Sequence, residues 1–228
     1  MTRGIVKKEI MNKKTRKPTR QYGGVDAVQR QQERKEKFIE AGLEEFGTTG
    51  YARSTIKGLC RLAGLTERYF YEAFKSKEDL LSAVYQKLIT ELENDAIAII
   101  ETPGISTHDI ASNALKMFYM HFYNDPRRAR VQLFEVLGVS ARIDGEYQSA
   151  MRTLADWIAL ASAAAFPDID REWMRASVIP TGTAGAVIEI ANQWALSGFE
   201  RPVDEIIAQA IEVFSIVGVY YNKKGTVG

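Results

Sequence analysis

The sequence predicts an all-α protein: a three-helix N-terminal head built on a helix-turn-helix, followed by a larger helical C-terminal domain. Apolar residues recur three and four apart through most of the chain, the period of helices with one buried face. No segment alternates apolar and polar residues long enough to make a strand. Helix-starting Ser, Thr and Asp residues and helix-stopping Gly and Pro residues divide the pattern at regular intervals. At 228 residues and 46% apolar content, the chain holds one or two domains with a proper core.

Residues 1–27 form a basic N-terminal arm. Eight cations between Met1 and Arg20 face one acid, Glu9, so the block repels itself and has little to bury. Two readings stand level: an arm lying on nucleic-acid phosphates, or a solvated tail. A first helix is expected over Val28–Phe46, with Phe38, Gly42 and Phe46 on one stripe and Ile39 and Leu43 beside it.

The next segment is the most informative. Thr55 caps a short helix carrying Ile56, Leu59 and Leu62, and Gly64 follows where a left-handed residue is needed. Leu65 plugs the turn, and Thr66 is positioned to cap the next helix. There Phe70 and Phe74 point inward, leaving Arg68, Tyr69 and Tyr71 outside. Two short helices around a glycine turn, with cationic and aromatic residues outward, make a major-groove reader.

A long helix is expected from Ser76, capped with Asp79 three residues on, through Leu81, Val84, Leu88 and Leu92 to about Glu101, where Thr102-Pro103-Gly104 ends it. Further helices are expected over Thr107–Asn124 and from Asp125-Pro126 to near Gly138. Another runs over Ile143–Ala165 and is closed by Pro167; the next, from Asp170 to Leu196, is kinked at Pro180. The last follows Pro202, from Val203 to about Tyr221. This gives an arm at 1–27, a helix-turn-helix domain at 28–80 and a C-terminal domain at 81–228.

In order along the chain, Phe46, Gly50-Tyr51, Ser54-Thr55-Ile56, Ala63-Gly64-Leu65-Thr66, Phe70-Tyr71, Phe74, Ser76-Lys77-Glu78 and Leu80-Leu81 resemble the head of the tetracycline-repressor (TetR) family of bacterial regulators. The resemblance covers under a quarter of the chain. Glu45 departs from a usual leucine, Gly42 from a usual alanine, and Ala73 from a frequent histidine or aromatic. The resemblance implies a homodimer that binds a near-palindromic operator in double-stranded DNA and is released by a small-molecule effector.

Charge agrees with that division. Residues 1–80 carry 18 Lys/Arg against 11 Asp/Glu, a net +7, whereas 81–228 carry 12 against 18, a net −6. The first part suits a polyanion and the second would be repelled by one. Cys60 is the only cysteine, which excludes an intrachain disulfide and points to a reducing compartment; it reads as a small buried residue beside the turn. No apolar run approaches a membrane span, and the basic start lacks the apolar stretch of a secretion signal, so a cytoplasmic protein is expected.

Three sites follow. The DNA surface comprises Thr55 and Lys57 on the first short helix, Thr66, Glu67, Arg68 and Tyr69 at the start of the second, and Tyr71 and Lys77 toward the backbone. Glu67 either reads a cytosine amino group or shapes Arg68. An effector cavity would draw on Met117, Phe118, His121, Phe122, Phe134, Met151, Trp157, Trp173 and Met174, residues that by periodicity alone read as core more often than as a cavity lining. A dimer surface would use Val187, Ile190, Trp194, Ile207, Ile211 and Phe214. Catalysis has little support: two histidines, one cysteine, no metal-ligand spacing and no phosphate-cradling loop. No cofactor is expected, and Asp168-Ile169-Asp170 is too sparse a carboxylate set for acid–base work. A helical DNA-binding protein without an effector, or a small helical enzyme or lipid carrier with a basic tail, stay open as alternatives.

Overall fold

The computed structural model describes the backbone of residues 22–165 and 171–225, and their side chains except at 22–25, 107–108, 163–165, 171, 174–175, 214–215 and 217–225. Every regular element among these residues is helical: α1 (Tyr22–Thr48), α2 (Ile56–Ala63), α3 (Glu67–Ala73), α4 (Lys77–Ile100), α5 (Thr107–Asn124), α6 (Pro126–Arg130), α7 (Ala141–Ala165), α8 (Arg171–Ala176), α9 (Ile179–Leu196) and α10 (Val203–Gly225). Between α6 and α7 the chain widens into one π turn, Val131–Glu135.

Local chemistry explains most boundaries. Thr55 Oγ1 accepts from the Gly58 amide, and Ser76 Oγ accepts from the Asp79 amide. Gly64 closes α2 at φ +64°, and the Leu65 amide donates back to the Cys60 carbonyl, which ends the helix in a left-handed cap. Ser106 and Asp125 cap α5 and α6 in the same way, with Pro126 in the first turn of α6.

Several expectations need correction. α1 begins at Tyr22, six residues before Val28, carrying Gly23 and Gly24 in its first turn; residues 1–21 of the arm lie outside the described residues. Thr66 precedes α3 in extended backbone but makes no capping bond with its side chain. The helix expected over Asp170–Leu196 is two helices rather than one kinked rod. Pro180 sits in the first turn of α9, where its missing N–H costs nothing, and the chain breaks at Ser177-Val178 before it. Pro167 and the Asp168–Asp170 carboxylates lie outside the described residues.

The head closes on Phe38, Phe46, Leu59 and Phe70, each with no exposed surface. Phe70 meets Phe38 edge-on at 5.4 Å between ring centres. Full burial of such side chains stabilises by roughly 1.5–3 kcal/mol each. Leu62, expected on the buried stripe of α2, is 44% exposed; Cys60 is buried there instead. The same apolar cluster runs on without interruption through Leu81, Val84, Tyr85 and Leu88 into Val131, Val136 and Ile143. Residue 80 is therefore a boundary in sequence pattern but not in packing.

Two glycines set how closely the head and the rest approach. A Cβ on Gly42 would lie 2.8 Å from Val84 Cγ2, so α1 and α4 cross where alanine would not fit unaided. A Cβ on Gly47 would lie 2.4 Å from Cβ of Arg127 and 2.8 Å from its Cα, bringing α1 against α6 backbone to backbone.

A second core lies under α5, α9 and α10. Trp194 is 2% exposed, stacks on Tyr123 at 5.7 Å with rings nearly parallel, and donates from Nε1 to the Arg201 carbonyl at 2.9 Å. Val187 and Ile207 are buried in the same cluster. Three of the residues expected at a dimer surface, Val187, Trp194 and Ile207, are thus interior residues of one chain. The apolar surplus of α10 is largely satisfied against α5, and that of α9 against α7, α6 and the Tyr119 and Tyr123 rings of α5. Ile190 and Ile211 are half-buried against this core, and the side chain of Phe214 lies outside the described residues.

Candidate nucleic-acid interface and internal cavity

The helix-turn-helix presents a graded surface. Thr55, Lys57, Thr66, Glu67, Arg68 and Tyr71 are exposed. Arg68 is 84% exposed in its side chain and lies 3.0 Å from Glu72, one turn on in α3, so Glu72 rather than Glu67 is the carboxylate that shapes it. Tyr69 is half-buried, not outward: the guanidinium of Arg34 on α1 sits 4.2 Å above its ring. Arg34 also approaches Glu72 at 3.6 Å, which joins α1 to the exposed side of α3. Arg61 is exposed as well, four residues after Lys57 on α2, a spacing legible in the sequence.

Lys77 is committed inside the protein. Its Nζ donates to the carbonyls of Tyr51 and Ser54 at 2.7 and 2.9 Å and lies 4.3 Å above the Tyr51 ring. Burial holds its ammonium below the usual lysine range. It ties the start of α4 to the turn before α2 and has one proton left for a phosphate. Burial, and then the Glu67 carboxylate, pushes the Cys60 thiol up, which suits an inert packing residue.

Behind the head lies a cavity of about 190 Å³. Met117, Phe118, Phe122, Met151 and Trp157 line it. Phe134 does not; it packs on the second core, and Trp173 is not among the described lining residues. The side chain of Met174 lies outside the described residues. Most of the wall was missed. Tyr85, Ile89, Leu92, Ala96 and Ile100 form a second apolar stripe on α4, offset from the stripe Leu81–Val84–Leu88 that faces the head core. Its three- and four-residue spacing was visible, but a single stripe was read where α4 serves two surfaces. Glu93 is the one charged residue on the wall; Gln132, Thr153, Tyr85 and Tyr147 are its other polar members.

His121 stands behind this wall. It is 6% exposed, with Nε2 at 2.8 Å from Gln132 Oε1 and Nδ1 at 2.9 Å from an Arg128 guanidinium nitrogen. Burial pushes its pKa down to about 4, with the Gln132 hydrogen bond opposing the shift. From Arg128 a polar chain leads outward. Asp125 lies 3.7 Å from Arg128 and 2.7 Å from Arg127, which reaches Glu44 of α1 at 2.6 Å. The hydrogen bonds from Arg127 hold the Asp125 carboxyl below its ordinary range. A parallel tie runs from Arg130 to Glu135, which accepts from the Tyr51 amide at 2.7 Å. Gln132 on the cavity wall is thus connected by hydrogen bonds and ion pairs to the first helix of the head.

The head matches the profile of bacterial regulatory proteins of the tetR family over residues 38–84, the segment built from α1 to α4. Residues 38–84 thus carry the N-terminal domain of that family. An uncharacterized HTH-type transcriptional regulator of Bacillus subtilis, YhgD, is 29% identical over 83 residues, covering 36% of this chain and 43% of that protein. The match spans less than half the length of that relative. Likeness to solved structures extends over more than three quarters of the chain and lies in the fold. The fatty acid degradation regulator FadR of Bacillus halodurans superposes with a TM-score of 0.68 at 13% identity, over 79% of this chain and 93% of that one. FadR of Bacillus subtilis, solved in complex with stearoyl-CoA, gives 0.65 at 16%, over 78% and 96%. A TetR-like regulator from a Rhodococcus species gives 0.64 at 18%, over 78% and 91%. Among the described residues, no group of three or more His, Cys, Asp or Glu could hold a metal, and no helix is long and apolar enough to cross a membrane.

Proposed function

We propose that this TetR-family chain is a homodimeric, sequence-specific regulator of transcription, most plainly a repressor, whose heads leave their operator when a small molecule fills the cavity. The observation that carries the reading is the position of α4. One of its stripes packs on α1 in the head core that α2 and α3 share, and the other walls the cavity. A ligand that favours one setting of α4 therefore shifts the population of head positions. Exposed Thr66, Glu67 and Arg68 at the start of α3 are the groups offered to base edges, with Lys57, Thr55 and Tyr71 toward phosphates.

The dimer seam belongs on the outward face of α9 and α10. Val178, Gly182, Gly185, Glu189, Gln193 and Leu196 are exposed at three- and four-residue spacing, and Ala208, Glu212 and Ile216 are exposed on α10. Nothing lies within 4 Å of a Cβ built on Gly182 or Gly185, so neither glycine is needed within the chain. Both permit a second helix to come close. Joining two copies there pairs the heads for a near-palindromic operator, half-sites about one helical turn or a multiple apart, ~34 Å per turn. The apolar cavity favours this reading over an effector-free DNA-binding protein. A non-enzymatic, cytoplasmic role follows from it.

Selection from a random double-stranded pool with purified full-length protein tests the reading. Enrichment of a near-palindrome is expected. Retention with no shared sequence would refute sequence-specific regulation.

A further inference from the structure

The polar part of the cavity wall is more selective than its apolar part. Gln132 sits in the π turn, 4% exposed, with one face on the cavity. Its orientation follows from its neighbours. A guanidinium can only donate, so Arg128 obliges His121 Nδ1 to accept. The ring proton of the neutral imidazole is then on Nε2, which donates to Gln132 Oε1 at 2.8 Å. Turning the amide over would set two donors against each other. The Gln132 NH2 is therefore fixed on the side away from His121, and no hydrogen bond to it is made among the described residues. It is a donor with no protein acceptor, open to an otherwise apolar cavity, where an acceptor on a ligand would satisfy it.

The remaining wall argues against an anion. No Lys, Arg or His is among the described lining residues, and the one charge is the Glu93 carboxylate. Burial raises the hydroxyl pKa of Tyr85 and of Tyr147, keeping both protonated. A carboxylate or phosphate brought inside would find donors but no countercharge, beside a like charge.

Resting on the reading that this cavity takes the effector, we infer that Gln132 is its specificity-determining anchor and selects an uncharged, mainly apolar molecule carrying a hydrogen-bond acceptor such as a ketone, ester or amide carbonyl in its buried part. The class differs from the acyl-CoA held by the Bacillus subtilis FadR.

The test uses three nine-carbon probes, 2-nonanone, 1-nonene and nonanoate, titrated calorimetrically at pH 8 into full-length wild-type protein and Gln132→Met. The ketone-to-alkene affinity ratio, compared between the two proteins, cancels the different water solubility of the probes. It should fall roughly tenfold in Gln132→Met, the worth of one buried hydrogen bond, while alkene affinity holds. Nonanoate should bind wild type at least about tenfold more weakly than the ketone. An unchanged ratio overturns the anchor, and nonanoate binding as tightly as the ketone overturns the charge selection. If Gln132→Met does not fold, infrared spectra of 2-nonanone on wild type decide the matter. The bound carbonyl stretch should lie below its value in hydrocarbon solvent, and an unshifted band overturns the proposal. Failure of all three probes to bind instead removes the effector cavity itself.

Discussion

His121 should make the protein lose stability in mild acid, in a window set by its burial. Its ordinary pKa of 6.5 in the unfolded chain falls to about 4 in the folded one, chiefly because burial disfavours the charged ring. Between those values the unfolded state binds the proton and the native state does not, so stability rises with pH across the window and is lost as pH falls below about 6.5. At about 1.4 kcal/mol per pKa unit, the loss is about 2 kcal/mol at pH 5 and about 3 kcal/mol near pH 4, to order of magnitude. Asp125 contributes in the same direction but lower, since its depressed pKa loses stability only as pH falls through and below the ordinary carboxylate range. Replacing His121 by Asn keeps a polar group near Gln132 and Arg128 and removes the titration. Urea midpoints at pH 7.5, 6 and 5 should diverge, wild type falling by about 2 kcal/mol more than His121→Asn by pH 5. Parallel curves for the two proteins would mean that the ring is accessible to protons in the native state and the buried Arg128–His121–Gln132 chain is wrong.

Other perturbations separate packing from recognition. Gly185→Arg should leave helicity and monomer stability within about 0.5 kcal/mol, because the position is open, yet shift sedimentation from dimer to monomer; an intact dimer would move the seam elsewhere. Gly47→Ala should destabilise by about 1–3 kcal/mol in thermal melts, since its Cβ would meet the Arg127 backbone; a neutral result would contradict the close α1–α6 approach. Deleting residues 1–20 removes eight cations and should flatten the salt dependence of DNA binding, by about 0.9 in log–log slope for each phosphate no longer neutralised. An unchanged slope would make that segment a solvated tail.

What was legible in the sequence was mostly local. Thr55, Ser76 and Gly64 act through backbone groups three or four residues away, so their spacing alone locates α2 and α4. Gly42, a departure from the family pattern, made sense only once Val84 was seen against it. Burial partners were harder, because periodicity marks an apolar face without saying what covers it. Val187, Trp194 and Ile207 carry the apolar density expected of a subunit seam, yet the second core of the same chain takes it up. Leu62 failed for the opposite reason: eight residues make just over two turns, and Leu59 with Cys60 already fills the buried side. In sequence Lys77 is a cation near a helix start, but the carbonyls of Tyr51 and Ser54, more than twenty residues away, compete for it. Gln132 was overlooked because a lone glutamine in an apolar stretch carries no motif; only the Arg128–His121 pair gives it a direction.

The central claim, that the start of α3 reads base sequence, is tested most directly at Arg68. Its side chain is 84% exposed and, among the described residues, is ion-paired with Glu72, so Arg68→Ala disturbs little inside the protein. Fluorescence anisotropy would follow binding of wild type and variant to the selected near-palindrome and to a scrambled duplex of equal length, at one salt concentration. Removing a base-reading side chain should cost about 1–3 kcal/mol, roughly 5- to 150-fold, on the palindrome. The scrambled duplex should weaken only a few-fold, the share of one phosphate-range charge. Equal weakening on both duplexes, or none on either, would contradict the account.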